Sequence, residues 1–209
     1  MKQSQPIVEP LSEQEAQSAA GEIGVPEMMT RLSIFQVLLK HPKLGKPFND
    51  LLMSLLFEGL LPVKLRELVI MRTGWVTGSE YEWTQHFSIA QMLGIDKSDL
   101  LSVRQWRSEP ENSFTPAERA ALRAVDDVAA KGKISEATYV DIRSALGSDA
   151  EVIELTMLVS VYAMVSSFLR SLHIPLEAGI DPWPPDGVSP PPEIRSDCER
   201  GTNESASGH

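Results

Sequence analysis

Hydrophobic residues recur at intervals of three and four along most of the chain, which is the spacing of one buried face of an α-helix. This spacing predicts helices over residues 28–41, 47–59, 62–75, 79–93 and 98–106, a helix that starts at 115, and helices over 135–146 and 150–172. No segment alternates between apolar and polar residues for long, so no strand is predicted. We therefore expect an all-α fold built from several helices.

Two of these helices carry further information. The helix predicted over residues 62–75 has almost no polar side, which indicates that it lies at the centre of the fold. The longest uncharged stretch, residues 155–169, has 15 residues. A bilayer span needs roughly 18 or more, so we expect a buried helix there. Pro42 is expected to end the helix before it, because proline crowds the preceding turn.

The two ends of the chain differ in composition from the helical middle. Residues 1–27 are polar and contain several prolines and glycines, so we predict a flexible N-terminal arm. Residues 28–180 form the predicted all-helical domain. Residues 181–209 are rich in proline and polar residues and predict a C-terminal tail without a core of its own. A length of 209 residues fits one domain.

The charge and the cysteine content limit the partners that we expect. The 29 acidic and 19 basic residues give a net charge of −10, which disfavours binding to nucleic acid and to anionic membrane surfaces. The single cysteine, Cys198, excludes an internal disulfide. No apolar run near the N-terminus resembles the core of a signal peptide. We therefore expect a cytoplasmic protein.

The densest group of chemically capable residues lies at the start of the helix predicted over 79–93. Ser79, Glu82 and His86 are spaced to share one helix face, so that Glu82 can orient the imidazole for proton transfer near neutral pH. Tyr81 and Trp83 flank this face. The alternative is that Ser79 and Glu82 form a capping box, in which both side chains bond to first-turn amides.

Glu67 is the second candidate, because it lies in the helix that is apolar on nearly every side and needs a partner there. The alternative to a catalytic role is an ion pair, for example with Lys64. Arg66 and Arg72 can bind a substrate carboxylate with two hydrogen bonds, or can pair with acids of other helices. Motifs for nucleotide binding, a hydrolase nucleophile elbow and zinc coordination are absent from the sequence.

Two motifs together resemble the superfamily of carboxymuconolactone decarboxylase and alkylhydroperoxidase D. They are L-P-x-x-x-R-E-L-V-I-x-R-T at residues 61–73 and Y-E-W-x-x-H-x-x-x-A-x-x-x-G at residues 81–94. H-P-x-L at residues 41–44 and L-x-x-x-V-x-x-Y at residues 155–162 fit as well, and the resemblance covers about residues 28–187. It implies an all-α, alkylhydroperoxidase D-like fold and a homo-oligomer, namely a dimer, trimer or hexamer.

The resemblance also shows which branch of the superfamily to expect. The peroxidase branch has two cysteines at the positions that Ser79 and Glu82 occupy here, so thiol peroxidase activity is disfavoured. The decarboxylase-like branch uses neither a metal nor an organic cofactor. The resemblance therefore implies a lyase acting on a small carboxylated, lactone or enolisable substrate.

In this interpretation His86 donates and accepts the proton, and either Glu82 or Glu67 orients it. Arg66 or Arg72 binds the carboxylate or the developing oxyanion, and Tyr81 and Trp83 shape the pocket. Two alternatives stay open from the sequence. An isomerase, dehydratase or cyclase of a biosynthetic pathway would use the same groups, whereas a non-catalytic oligomeric helical protein would use them only for packing.

Overall fold

The computed structural model describes residues 5–110 and 113–192. These residues form α-helices and 3-10 turns without a strand, so the all-α prediction is confirmed. The α-helices are α1 (Glu13–Ile23), α2 (Ser33–Leu38), α3 (Pro42–Phe57), α4 (Val63–Thr77), α5 (Glu80–Met92), α6 (Lys97–Ser102), α7 (Pro116–Lys131), α8 (Glu136–Ala145) and α9 (Asp149–Ser171). Two 3-10 helices cover Glu27–Arg31 and Val103–Ser108.

The described residues divide into two compact units. The first comprises residues 5–59 and 168–180, and the second comprises residues 60–110, 113–167 and 181–192. Helices α1 to α3 lie in the first unit. Helices α4 to α8 and most of α9 lie in the second, which also contains every site residue predicted from the sequence.

The N-terminal region contains a helix that the sequence patterns missed. Residues 1–27 were expected to form a flexible arm, but α1 begins with a capping box between Ser12 and Glu15 and buries Ala16 and Ala20. Two small alanines four residues apart are enough to contact a neighbouring helix, although they give a weak hydrophobic signal. Residues 1–4 lie outside the described part of the chain.

Pro42 begins a helix instead of ending one. The helix predicted over residues 28–41 is replaced by a 3-10 turn and the short α2, and Pro42 occupies the first turn of α3. A proline is well tolerated there because first-turn amides have no partner within the helix. Pro47, expected in the first turn of the next helix, lies inside α3.

Helix α4 is the central element of the second unit. All residues from 65 to 76 are buried, which confirms the prediction of a central helix, and α4 packs against both α5 and α7. A left-handed residue, Gly78 at φ 68°, ends α4 and lets the chain turn directly into α5. At Gly74 the backbones of α4 and α5 are so close that an added Cβ would lie 3.0 Å from the Trp83 nitrogen.

Helix α9 is longer than the uncharged stretch that predicted it. Its 23 residues are long and apolar enough to cross a membrane, whereas the uncharged stretch in the sequence was expected to be too short for a membrane span. Half of the qualifying window is buried inside the protein. A buried core helix meets the same criterion, so this property is weak evidence for a membrane.

The segment after residue 180 packs against the second unit over its described part. Trp183 is buried among the rings of Trp75 and Trp83, and the Trp83 indole donates a hydrogen bond to the Pro184 carbonyl at 2.8 Å. Asp186 accepts two hydrogen bonds from Arg104. The beginning of the predicted tail is therefore part of the unit, while residues 193–209, with Cys198, lie outside the described residues.

The close contact at Gly74 predicts a cost for any larger residue. Gly74→Ala should lower the free energy of unfolding by about 1–3 kcal/mol, because its methyl group would push α5 away from α4. Urea unfolding followed by circular dichroism measures this change.

Gly21→Ala is the matched control. Gly21 also lies within a helix, but an added Cβ there meets nothing within 4 Å. This substitution should stabilise the protein by roughly 0.5–1 kcal/mol through helix propensity. If both variants shift the unfolding midpoint in the same direction, the close approach of α4 and α5 is not a tight contact.

Candidate active site

A buried polar site lies where α4, α5 and α9 meet within the second unit. Glu82 and His86 are one helical turn apart on α5, and Tyr162 and Ser166 are one turn apart on α9. Ser166 donates a hydrogen bond to Glu82, and the rings of His86 and Tyr162 pack edge to face with centroids 5.3 Å apart. Glu67 of α4 approaches the same imidazole. The structure therefore brings three predicted residues, Glu67, Glu82 and His86, into one region.

Glu67 contacts both His86 and Arg66 in this site. Glu67 is completely buried, and its Oε2 lies 2.9 Å from His86 Nδ1, while its Oε1 accepts a hydrogen bond from Arg66 Nε at 3.0 Å. Burial would raise the pKa of Glu67, but attraction to His86 and Arg66 and their hydrogen bonds outweigh burial and lower this pKa below 4.5. Glu67 is therefore a carboxylate at neutral pH.

The partner of Glu67 differs from the ion pair that we considered. Lys64 pairs with Asp99 at 2.9 Å and with Glu118 at 3.5 Å. Glu67 instead contacts His86 of the neighbouring helix α5. Glu82, the other orienting group considered, bonds to Ser166.

The second imidazole nitrogen of His86 faces accessible space. Within the described residues Nε2 has no hydrogen-bond partner, yet it is not one of the fully enclosed polar atoms without a partner. His86 is 8% exposed, so a small part of the ring is open to solvent. A carboxylate on Nδ1 and an open Nε2 are the arrangement in which an imidazole can exchange a proton with a bound molecule.

Glu82 is a buried carboxyl group of a different kind. It is 2% exposed, its Oε2 accepts the hydrogen bond from Ser166, and its Oε1 is enclosed without a partner among the described residues. Burial raises the pKa of Glu82 well above its usual 4.5, and the bond from Ser166 opposes this only in part. The site therefore combines a carboxyl group whose pKa is lowered, Glu67, with one whose pKa is raised, Glu82.

The capping box considered for Ser79 and Glu82 does not form. Ser79 is the N-cap of α5, but its side chain makes no capping hydrogen bond, and its buried Oγ has no partner in the part of the chain described. Glu82 cannot serve the first turn because its side chain bonds to Ser166 on α9. The hydrogen bond between Glu82 and Ser166 on α9 takes the place of the local capping bond within α5.

The two candidate arginines have different surroundings. Arg66 lies beside Glu67 at the site. Arg72 is held elsewhere, because its Nε donates to Asp126 at 2.8 Å and its Nη1 donates to the carbonyls of Val103 and Arg104. Arg72 therefore fixes the 3-10 segment to α4 and is not brought to Glu67 and His86.

The two candidate aromatic residues are both buried in α5. Trp83 belongs to an aromatic cluster with Trp75, Phe87 and Trp183, and its indole nitrogen bonds to the Pro184 carbonyl. Its contacts therefore serve the packing of α5. For Tyr81, at 7% exposure, a role in shaping a pocket stays a prediction.

Two residues of the site were missed by sequence reasoning. Tyr162 and Ser166 are two of several hydroxyl-bearing residues on α9, and they lie 76 and 84 positions away from the α5 residues that they contact. The spacing of four between two hydroxyl groups on one helix face was the available signal. Nothing local related this pair to Glu82 and His86.

The described residues contain no group of three or more histidine, cysteine, aspartate or glutamate side chains that could hold a metal ion. The chemistry that these side chains can supply directly is proton transfer, through the Glu67–His86 pair, and hydrogen bonding, through Glu82, Ser166 and Tyr162.

Comparison with known proteins supports the resemblance found in the sequence. Residues 42–127 match the model of the family described as the Carboxymuconolactone decarboxylase family. This segment contains α3 to α5 with Glu67, Glu82 and His86, but not α9. This match supports the superfamily resemblance recognised from the sequence, and the similar structures below support its fold. No curated protein matches the sequence closely enough to count as a relative.

Several solved structures share the fold at low sequence identity. The debrominase Bmp8 in complex with 2,3,4-tribromopyrrole has a TM-score of 0.70 and 15% identity, and the match covers 96% of this chain and 100% of that one. A peroxidase-related protein from Silicibacter sp. TM1040 has a TM-score of 0.63 and 16% identity over 86% of this chain and 96% of that one.

An alkylhydroperoxidase AhpD core protein from Ralstonia eutropha JMP134 is similar to the same degree. Its TM-score is 0.63 and its identity is 16%, and the match covers 84% of this chain and 93% of that one. At such identities these structures establish the fold, and the activities in their names belong to those proteins.

The buried Glu82 predicts a characteristic dependence of stability on pH. Its pKa is higher in the folded than in the unfolded protein, so its contribution to stability is complete below pH ~4.5 and is lost as the pH rises towards the folded-state pKa. Glu82→Gln keeps a neutral side chain at every pH. The stability gained by this variant over the parent should therefore grow above pH ~4.5, by up to ~1.4 kcal/mol per pH unit.

Urea unfolding of both proteins at several pH values between about 4 and 8 tests this expectation. Glu22→Gln, at an exposed position of α1, is the control for removing one carboxyl group. A difference between Glu82→Gln and the parent that stays constant over this range would show that Glu82 is ionised in the folded protein.

Proposed function

We propose that this protein is a cofactor-independent acid–base enzyme that acts on a small carboxylated, lactone or otherwise enolisable substrate, with decarboxylation or a related lyase reaction as its chemistry. The observation that carries this proposal is the buried Glu67 carboxylate at 2.9 Å from His86 Nδ1, with Nε2 of the same ring open. Burying a carboxylate is costly, and a pair of this kind is typical of a catalytic base.

In the proposed mechanism Glu67 fixes the tautomer of His86. The carboxylate accepts a hydrogen bond from Nδ1–H, so the lone pair of the neutral ring lies on Nε2. The same carboxylate stabilises the imidazolium that forms when Nε2 takes up a proton. Arg66, bonded to the other carboxylate oxygen, helps to keep Glu67 ionised. His86 is then the proton donor and acceptor, and Glu67 is its positioning residue.

For decarboxylation of a γ-lactone acid, the bond between the ring carbon and the carboxylate breaks and carbon dioxide leaves. The electron pair passes into the ring and gives a dienolate, whose negative charge lies largely on the lactone carbonyl oxygen. Protonated His86 delivers the proton from Nε2 to carbon, and water returns a proton to the imidazole. Arg66 provides positive charge beside Glu67, in the part of the site that the substrate carboxylate would enter.

The same proton transfers would serve an isomerase, a dehydratase or a cyclase, which is the alternative within this class. The similar fold of Bmp8, a debrominase solved with 2,3,4-tribromopyrrole, supports a site for a small ring compound on this scaffold. Thiol peroxidase activity is not proposed, because Ser79 and Glu82 occupy the positions expected of the cysteine pair.

Deuterium exchange at carbon tests the acid–base proposal with simple model substrates. The parent protein, incubated in deuterium oxide with γ-carboxymuconolactone and with simple enolisable lactones, should release carbon dioxide or incorporate deuterium at carbon, measured by NMR. His86→Gln should reduce this rate by roughly a hundredfold or more, because an amide cannot exchange the proton.

His41→Gln is the matched control, since His41 is exposed and lies in the other unit. It should leave the rate unchanged. If His86→Gln stays folded and within a few-fold of the parent, or if the parent acts on none of these compounds, the acid–base proposal is wrong and the non-catalytic alternative gains support.

The setting of the enzyme is also part of the proposal. We propose a cytoplasmic protein whose partners are its small-molecule substrate and further copies of itself, without nucleic acid or membrane partners. The α9 helix exposes the apolar side chains of Ile153, Met157 and Met164, and burying them between copies would remove them from water. Light scattering should therefore give a dimer, trimer or hexamer, and a mass of 23.1 kDa at all micromolar concentrations would contradict this.

A further inference from the structure

The Tyr162 hydroxyl is a polar group beside His86 that the proposed proton transfer does not use. Tyr162 is only 2% exposed, and its ring lies edge to face against the imidazole. Neither a carbonyl nor another side chain of the described residues bonds to the hydroxyl. A buried tyrosine usually finds such a partner, so this hydroxyl needs an explanation.

The hydroxyl is not sealed inside the protein. The fully enclosed polar atoms of the second unit that have no partner among the described residues are Trp75 Nε1, Ser79 Oγ, Glu82 Oε1 and Arg104 Nε. Neither the Tyr162 oxygen nor His86 Nε2 is one of them. Each therefore keeps some contact with accessible space, and ring centroids 5.3 Å apart allow one small molecule to touch both groups.

We infer that Tyr162 is a further catalytic residue, whose O–H donates a hydrogen bond to the oxyanion that forms on the substrate carbonyl while His86 exchanges a proton with the substrate carbon. This inference rests on the proposed function, since the oxyanion arises in that reaction. It places the proton-transfer group on α5 and the oxyanion donor on α9, next to each other in the site.

The surroundings of Tyr162 suit a donor that keeps its proton. Burial raises the pKa of Tyr162 well above its usual 10, and the carboxyl groups of Glu82 and Glu67 raise it further, while the positive charge of Arg66 opposes them. A phenol of this kind donates a hydrogen bond without ionising. One donor aimed at a developing oxyanion in a shielded site typically contributes a factor of about 10²–10³ to the rate.

Ser166, one turn along α9, is held by Glu82 and is therefore not the donor. This bond also fixes the rotation of α9 relative to α5 at the neighbouring turn. The orientation of Tyr162 towards His86 follows from it, because residues four apart on a helix share a face.

Tetronic acid tests the inference directly. It is a lactone whose enol is ionised at neutral pH, so it resembles the proposed lactone enolate and binds without reacting. The parent protein should bind it, and Tyr162→Phe, which keeps the ring but lacks the hydroxyl, should bind it at least tenfold more weakly by calorimetry. Tyr139→Phe is the matched control, because it also removes a tyrosine hydroxyl. The Tyr139 hydroxyl, on α8, bonds to the Thr156 hydroxyl on α9 at 3.2 Å.

A measurement on the unsubstituted site complements the variant. The chain has three tyrosines, so labelling them with ¹³C at the carbon that bears the hydroxyl gives three NMR signals. Signals of Tyr81 and Tyr139 are assigned by their phenylalanine variants. The remaining signal, from Tyr162, should shift on addition of tetronic acid.

The outcomes separate this inference from the proposed function. Equal affinity of Tyr162→Phe and the parent, an unmoved Tyr162 signal, or no binding of tetronic acid to the parent would each overturn the role of Tyr162. The acid–base proposal is decided independently by the deuterium exchange of the parent and His86→Gln. If the parent catalyses exchange but Tyr162→Phe binds tetronic acid as tightly as the parent, the proton-transfer site stands and the oxyanion donor lies elsewhere.

Discussion

The site depends on one costly constraint, which is that the Glu67 carboxylate of the central helix α4 is completely buried. A buried charge is tolerated only where hydrogen bonds and opposite charges replace its lost hydration. Arg66 and His86 supply both, one from the same helix and one from the next. Removing either would take away part of the compensation for a negative charge in the core, so the geometry of the Glu67–His86 pair matters for the stability of the fold as well as for any chemistry that it performs.

The packing of α5 follows from this constraint. His86 reaches Glu67 because α4 turns into α5 through Gly78 and because Gly74 lets the two backbones nearly touch. One helical turn before His86, Glu82 lies against α9 and accepts a hydrogen bond from Ser166. The pKa values of two carboxyl groups of the same region thus shift in opposite directions, since Glu67 contacts two nitrogen groups whereas Glu82 is buried and contacts a hydroxyl.

The sequence predicted the helices of the second unit well, because proline, glycine and hydrophobic spacing are local signals. The helix predicted over residues 79–93 is observed as α5, Glu80–Met92. Pro42 was misplaced because the same residue suits both the stop and the start of a helix. Glu67, Glu82 and His86 were identified as candidates, but the sequence left open whether Glu67 or Glu82 orients His86, since a side chain four positions away competes with one on another helix only in three dimensions. Tyr162 and Ser166 were missed because the spacing of four between them does not indicate a contact with residues 76 and 84 positions away.

The contact between Glu67 and His86 spans 19 positions in the chain, whereas that between Glu82 and Ser166 spans 84. The first pair is thus contained in a single helical hairpin of low contact order, which can form early in folding, while the second requires the chain to close a long loop. In the proposed mechanism the hairpin alone holds the proton-transfer pair, Glu67 and His86, and α9 adds Tyr162 as the oxyanion donor. Under that mechanism, substitutions on α9 away from Tyr162 would change the shape of the site while leaving the proton-transfer pair in place.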